Sequence, residues 1–174
     1  TRLTVTGVQE ITPHLRRVWF HSDDLSAFAD SVHTDRYVKL AFGSSDEETV
    51  LRTYTALFPD VAAGTLAIDF VLHGDTGVAG PWAAAAQPGD ELEARGPGGG
   101  YAPDPTADWH LLVGDESALP AITAALAALP ADAVARVVVE VDSAAHEPSL
   151  EVPSGAQVRF VHRGATTLTE AVQA

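Results

Sequence analysis

The alternation of hydrophobic and polar positions in the first part of the chain predicts short β-strands separated by turns. Residues 2–8, 15–21 and 37–42 are β-rich runs, and Val, Leu and Phe share one face of the third run. In the longest run, residues 65–73, Leu, Ile, Phe and Leu alternate with Ala, Asp, Val and His. This pattern predicts a half-buried antiparallel sheet, and about six such strands predict a barrel or a sandwich.

One short helix is predicted inside this strand-rich region. Residues 74–80 form a turn-rich loop, and Pro81 suits the first helical position ahead of Trp82 and four alanines. The helix is expected to end at residues 87–89, which are Gln-Pro-Gly, and residues 90–95 resume as a strand. The helix therefore interrupts the sheet without ending it.

A domain boundary is predicted at residues 96–105, which have the densest glycine and proline content in the chain. We expect one domain at residues 1–103 and a second at residues 108–174. In the second domain, strands alternate with helices: strands at 109–113 (buried), 136–141 and 157–162, and helices at 118–129 and 168–174. This order predicts the opening half of a doubly wound parallel α/β sheet. Because three parallel strands leave a sheet edge unpaired, we expect a chain cut short at its C-terminus.

Composition excludes several classes of protein. The chain has no Cys, which rules out disulfides, thiolate metal sites, iron-sulfur clusters and a cysteine nucleophile. The formal net charge of −14 makes nucleic acid and anionic membranes poor partners. No apolar run approaches about 18 residues and no leader sequence begins the chain, so we expect a cytoplasmic protein with no membrane partner. The sequence does not indicate an oligomeric state.

Two further kinds of site are not expected. The seven histidines include no pair at the helical spacing of metal ligands, so we expect no protein-bound metal. A Gly-x-Ser-x-Gly elbow is missing from the sequence, which argues against serine-based hydrolysis.

Residues 52–55, Arg-Thr-Tyr-Thr, are the first candidate binding motif. They end a predicted strand just before a Pro59-Asp60 turn, and alternation places Arg52 and Tyr54 on the same face. A charge is thereby paired with an aromatic ring. Taken alone, the motif also fits an exposed arginine beside an ordinary β-strand tyrosine.

Two other segments have candidate roles. Backbone N–H groups at the start of the helix at residues 80–83 suit a pyrophosphate, although a small packing helix explains the same residues. Residues 114–117, Gly-Asp-Glu-Ser, lie where a strand leads into a helix, which is where dinucleotides enter α/β domains. The alternative for that loop is a helix cap formed by Asp115 or Ser117.

In this order, the motifs resemble those of the siderophore-interacting proteins, a branch of the ferredoxin reductase-like flavoenzymes. The resemblance extends from about Thr4 to Arg163, and the Trp-Ala helix together with Gly-Asp-Glu-Ser-Ala-Leu-Pro indicates the siderophore branch. The motifs are Thr12-Pro13-His14, Tyr37-Val38-Lys39-Leu40, residues 52–55, His73-Gly74-Asp75, Trp82-Ala83 and residues 114–122. The resemblance implies a six-stranded antiparallel flavin-binding barrel followed by a partial parallel α/β domain that binds NAD(P)H.

The resemblance also implies FAD as cofactor and NAD(P)H as electron donor. Arg52 would contact the flavin phosphate, Tyr54 would stack on the isoalloxazine ring, and Thr55 would hydrogen-bond near its reactive nitrogen. Tyr54 and Thr55 are therefore the residues expected nearest the chemistry. The remaining cofactor-binding residues are expected to be Thr53, Asp69, Val71 and His73 along the flavin, Gly80, Trp82 and Ala83 at the pyrophosphate, and Gly114, Asp115, Glu116 and Ser117 on the nicotinamide side.

One position departs from the family pattern. A second arginine usually follows the threonine by two positions, but here that position is Leu57. Either flavin affinity is lower or another residue such as Lys39 substitutes, and the sequence leaves both possibilities open.

The resemblance implies that electrons pass from NAD(P)H through flavin to a ferric siderophore, whose oxygen ligands hold Fe(III) more strongly than Fe(II). Iron would leave as Fe(II). The family's last strands, with a late Gly-Glu motif and basic residues thought to meet the siderophore, are expected beyond Ala174. The alternatives are a general NAD(P)H-flavin reductase and a non-catalytic flavin-binding module that needs a partner.

Overall fold

The computed structural model describes residues 1–43, 49–72, 74 and 77–173. Within these residues, the first half of the chain forms one antiparallel sheet of seven strands, in the order β4-β3-β7-β1-β2-β6-β5. The strands are β1 (Arg2–Thr12), β2 (Leu15–His21), β3 (Tyr37–Phe42), β4 (Val50–Thr55), β5 (Leu57–Asp60), β6 (Thr65–Val71) and β7 (Glu91–Gly98).

The second half forms a three-stranded parallel sheet in the order β10-β9-β8, with strands β8 (His110–Asp115), β9 (Val134–Val141) and β10 (Gly155–His162). The helices are α1 (Ala79–Ala85), between β6 and β7, α2 (Leu119–Ala128), between β8 and β9, and α3 (Leu168–Gln173), after β10. The predicted fold class, an antiparallel β-domain followed by part of a doubly wound α/β sheet, is confirmed. No helix of the described residues is both long and apolar enough to cross a membrane.

The predicted strand count of six was wrong, because residues 57–60 form β5 instead of a turn. Leu57 is fully buried and pairs with Ala67 of β6, which draws this segment into the sheet. The barrel is not closed by hydrogen bonds among the described residues, since the ladder ends at β4 on one side and β5 on the other. Ala56 joins these two edge strands, and its N–H donates to the Arg36 carbonyl, 2.7 Å away.

Both faces of β6 are buried, which corrects the predicted half-buried sheet. Residues 66–70 are all buried, including Ala67 and Asp69 on the face expected to be exposed. We call the seven-stranded sheet with α1 the first lobe and the three-stranded sheet with α2 and α3 the second lobe. One face of β6 packs in the core of the first lobe, and the other face lies against the second lobe. Ile11, Leu15 and Val71 of the antiparallel sheet belong to the same hydrophobic cluster as α2 and β9. The two lobes therefore share a core.

The strand predicted at residues 109–113 was wrongly expected to be buried. β8 begins at His110, and Leu111 and Val113 are 44% and 40% exposed. Alternate side chains of a strand point to opposite faces, so these two residues lie on the face away from α2. On that face, α3 packs over Val138 and Val161 of the neighbouring strands and leaves β8 uncovered.

Candidate functional site

A cleft of about 390 Å³ lies where the two lobes meet. Its walls come from the ends of β3, β4 and β6, from the chain entering α1, and from the chain entering α2. The lining residues are Tyr37, Arg52, Thr53, Tyr54, Thr55, Asp69, Val71, Gly77, Val78, Ala79, Gly80, Ser117 and Pro120. All four residues of the Arg-Thr-Tyr-Thr motif therefore meet Asp69, Val71, Gly80 and Ser117 in one place.

The other candidate residues lie elsewhere. Trp82 and Ala83 pack in the barrel core, and residues 114–116 lie behind Ser117, outside the lining of the cleft. His73 falls outside the described residues. Tyr37, residues 77–79 and Pro120 also line the cleft, although they were not predicted to do so.

Tyr54 and Arg52 face the same way, as alternation predicted, since they lie opposite the buried residues Val38 and Leu40 of β3. The Tyr54 ring lies 4.6 Å from the ring of Phe70, centroid to centroid. Burial raises the pKa of the Tyr54 hydroxyl, and the nearby charge of Arg52 opposes that rise. The phenol is therefore protonated at neutral pH. The exposed Arg52 guanidinium donates to the Leu51 carbonyl at 3.0 Å.

Asp69 lines the cleft with its charge already compensated. Arg17 binds both carboxylate oxygens, Nε to Oδ1 at 2.7 Å and Nη2 to Oδ2 at 2.8 Å. The same guanidinium lies over the rings of Trp19 and Phe58, at 6.0 and 5.1 Å from their centroids. Arg17 was not predicted as a site residue. The feature that could have indicated its role is the pairing of β2 with β6, which places Arg17 directly across from Asp69.

Trp82 anchors α1 to the barrel. Its ring lies 6.3 Å from Phe20, 5.9 Å from Phe42 and 5.8 Å from Phe70. Ala83 beside it is fully buried. Trp82 and Ala83 therefore belong to a small packing helix, which was the alternative to a pyrophosphate-binding role. Their packing holds residues 77–80 at the border of the cleft.

The loop at residues 114–117 shows the capping arrangement. Asp115 Oδ1 accepts hydrogen bonds from the Ser117 backbone N–H at 2.9 Å and from the Ser117 hydroxyl at 2.6 Å. Hydrogen bonding from Ser117 lowers the pKa of the Asp115 carboxyl. A side chain at Gly114 would collide with the Cβ of Ala118, so glycine permits the close turn into α2.

Carboxylates crowd around one arginine at the carboxyl ends of the parallel strands. Arg163 contacts Glu140 Oε1 at 3.1 Å, Asp142 Oδ1 at 2.6 Å and Glu116 Oε2 at 3.8 Å. Glu116 is buried, and its Oε1 accepts no hydrogen bond from the described residues. The edge of the sheet where a dinucleotide would enter is therefore acidic.

The position of the missing second arginine lies inside the protein. Leu57, which occupies that position, is fully buried in β5. Lys39 of β3, the residue considered as a substitute, pairs with Thr53 of β4 and does not line the cleft. Among the described lining residues, Arg52 is the one cation.

Two family models match the chain, and they divide it between them. Residues 4–50 and 43–101 match the siderophore-interacting FAD-binding domain, and residues 107–174 match the siderophore-interacting protein model. Together the two models extend over nearly the whole sequence.

Two curated relatives match most of the chain. An uncharacterized protein of Mycobacterium tuberculosis is 43% identical over 181 residues, which cover 92% of this chain and 64% of that protein. The ferric vibriobactin reductase ViuB of Vibrio cholerae is 38% identical over 121 residues, which cover 68% of this chain and 44% of ViuB. The chain thus spans less than two thirds of the length of these relatives.

A solved structure agrees with both family models. The siderophore utilization protein from T. fusca superposes with a TM-score of 0.85 at 35% sequence identity, over 99% of this chain and 75% of that one. The agreement extends through both lobes, and the same combination of an antiparallel sheet and an α/β domain is found in a ferredoxin reductase of 16% identity, so the fold is ferredoxin reductase-like. By sequence and by fold, this chain belongs to the siderophore-interacting protein family.

Proposed function

We propose that this chain binds FAD in the cleft between its lobes and passes electrons from NAD(P)H to a ferric siderophore, releasing iron as Fe(II). One observation carries the proposal: the cleft joins the motif at residues 52–55 to Asp69, Val71 and Gly80 of the first lobe and to Ser117 of the second. The relative ViuB is a ferric vibriobactin reductase, which supports the same reaction class.

The residues around the cleft fit an FAD. Arg52 supplies a cation for a phosphate, and the half-buried Tyr54 supplies an aromatic face. Residues 77–80 line the cleft, and Gly77 among them has a positive φ, a conformation found in backbone segments that bind anions. The net charge of −14 works against an anionic cofactor, but Asp69, the one carboxylate among the described lining residues, is paired with Arg17.

FAD, when bound, supplies hydride acceptance and the release of single electrons. The side chains contribute positioning. Tyr54 keeps its proton and offers a flat face, and Thr55 offers a hydroxyl beside it. Ser117, held by Asp115, marks the side from which a nicotinamide would approach. A ferric siderophore loses affinity for iron on reduction, because hard oxygen ligands bind Fe(III) more strongly than Fe(II).

We assign FAD binding to residues 1–103 and NAD(P)H binding to residues 108–174. The cleft supports this division, because the residues expected to hold the flavin come from the first range and Ser117 comes from the second. The reaction therefore needs both lobes in contact.

A second candidate, a flavin-binding module reduced by a partner protein, is favoured by the acidic edge of the parallel sheet. Arg163 contacts Glu116, Glu140 and Asp142, and its charge also acts on Asp115. Because NAD(P)H is an anion, these carboxylates weaken its binding.

Anaerobic titration of the FAD-loaded chain separates these functions. The reductase predicts that NADPH or NADH bleaches the flavin absorption, and that a ferric siderophore then restores it while a chelator traps Fe(II). A bound flavin that is reduced by dithionite but by neither nicotinamide supports the binding module. Faster turnover with free flavins or dyes than with ferric siderophores supports a general flavin reductase.

A further inference from the structure

Two histidines and one aspartate meet at the junction of the lobes, away from the cleft. His14 lies in the turn between β1 and β2, Asp142 directly follows β9, and His146 ends the short 3-10 turn Ala144–His146. One potential ligand atom from each residue lies within 4.8 Å of the other two. Sequence spacing concealed this group, because His14 comes from the first lobe and the other two residues from the second.

The three side chains form a compact donor set. His14 Nδ1 lies 3.2 Å from Asp142 Oδ2, and the rings of His14 and His146 are 4.0 Å apart at an angle of 39°. The His14 and Asp142 side chains are 40% and 35% exposed, so an ion can enter from solvent. Two imidazoles with one carboxylate are typical ligands of Zn(II) and Fe(II), and the open side leaves room for water.

Neighbouring groups hold these donors in place. Arg163 Nη1 binds Asp142 Oδ1 at 2.6 Å, which turns the other carboxylate oxygen toward His14. The Ser143 hydroxyl lies 3.0 Å from His146 Nδ1. The His14 carbonyl accepts a hydrogen bond from Leu72 N–H at 2.8 Å, which fixes the turn. Such outer partners orient metal ligands and set the protonation of the histidine rings.

The local charge also suits a cation. Arg163 is shared among Asp142, Glu140 and Glu116, so the carboxylates outnumber the one guanidinium that faces them. Glu147 lies next to His146 in sequence, and its carboxylate Oε1 is 2.7 Å from His162 Nε2. A divalent ion would therefore enter a negative field.

We propose that His14, Asp142 and His146 bind one divalent transition-metal ion and thereby link the two lobes. None of the three residues lines the cleft that we assign to FAD, although Asp142 also belongs to the acidic edge of the parallel sheet. Soft or borderline ions such as Zn(II) fit the imidazole nitrogens, whereas Mg(II) favours sites made of oxygen.

Calorimetric titration of the chelator-treated full chain with Zn(II) tests the site. We expect one ion per chain, with no competition from Mg(II). Loss of outer partners alone costs about 10–100-fold in metal affinity, so His14→Ala and His146→Ala should each weaken Zn(II) binding by at least about 10-fold. His33→Ala, which removes a histidine beside Gly99, is the matched control and should change nothing.

Thermal unfolding provides the second readout, with circular dichroism to establish that each variant is folded. Zn(II) should raise the Tm of the wild type, because it binds the native state, and should leave the Tm of the site variants unchanged. Asp142→Asn nearly preserves side-chain shape and tests the same site if an alanine variant fails to fold. The proposal is overturned if Zn(II) does not bind, if folded site variants keep wild-type affinity, or if His33→Ala weakens binding equally.

Discussion

At the scale of single residues, Arg52 carries the positive charge of the cleft. Charged hydrogen bonds contribute about 1.5–3 kcal/mol, so Arg52→Ala should weaken FAD binding by about 10–100-fold. The measurement is equilibrium titration with FAD followed by flavin fluorescence. Arg95→Ala, an exposed arginine of β7 outside the cleft, is the control. Equal affinities for wild type and Arg52→Ala would remove Arg52 from the site.

Tyr54 gives a pH-dependent prediction. Burial raises the pKa of its hydroxyl above the ordinary value, so the folded state holds this proton more tightly than the unfolded state. The resulting stability is fully present below the unfolded pKa of about 10 and is lost as the pH rises through the folded pKa. Urea unfolding should therefore show a steeper alkaline loss of stability in the wild type than in Tyr54→Phe. Parallel alkaline profiles would contradict this assignment.

The buried pair of Arg17 and Asp69 should be sensitive to loss of one partner. Arg17→Ala leaves the buried carboxylate without its bidentate partner, and the expected loss of unfolding free energy is about 3–5 kcal/mol. Arg2→Ala breaks the exposed pair with Glu91 and should cost at most about 1 kcal/mol. Chemical denaturation measures both, and similar small losses would show that Asp69 is stabilised in another way.

At the scale of elements, α1 depends on Trp82 for its attachment to the barrel. Trp82→Ala should lower the unfolding free energy by about 3–5 kcal/mol, because the ring packs on Phe20, Phe42 and Phe70. Trp82→Phe keeps most of this packing, so FAD affinity should stay close to that of the wild type. A loss of affinity in folded Trp82→Phe as large as that in Arg52→Ala would instead indicate direct contact with the cofactor.

Local patterns predicted the elements that depend on local sequence. β2, β3 and α2 were predicted from alternation or helical composition, with every end within one residue. β5 was missed because its inclusion depends on Leu57 pairing across to β6. The burial of β6 on both faces was missed because the second lobe supplies the cover. Both features depend on residues that are far apart in the sequence, so a local pattern cannot predict them.

The same distinction applies to the candidate site. The motif at residues 52–55 was found because four consecutive residues on one strand carry it. Arg17 required the register between two strands, and Pro120 required the packing of the lobes. The group of His14, Asp142 and His146 was hidden for the same reason.

At the scale of the whole molecule, buried residues of both lobes belong to one hydrophobic cluster. Leu15 of β2 packs in the same cluster as Leu119 and Ile122 of α2, so separating the lobes would expose apolar surface on both. We expect one unfolding transition in urea, with tryptophan fluorescence and circular dichroism giving the same midpoint. Two separated transitions would show that the lobes unfold independently.

The central claim is that the cleft between the lobes binds FAD, and titration of the flavin-free chain with FAD tests it most directly. Absorption spectroscopy after gel filtration should show one retained FAD per chain. The same measurement on Tyr54→Ala and Arg52→Ala, each verified as folded, should show clearly weaker retention. A folded wild-type chain that retains no FAD, or variants that retain it as well as the wild type, would contradict the account.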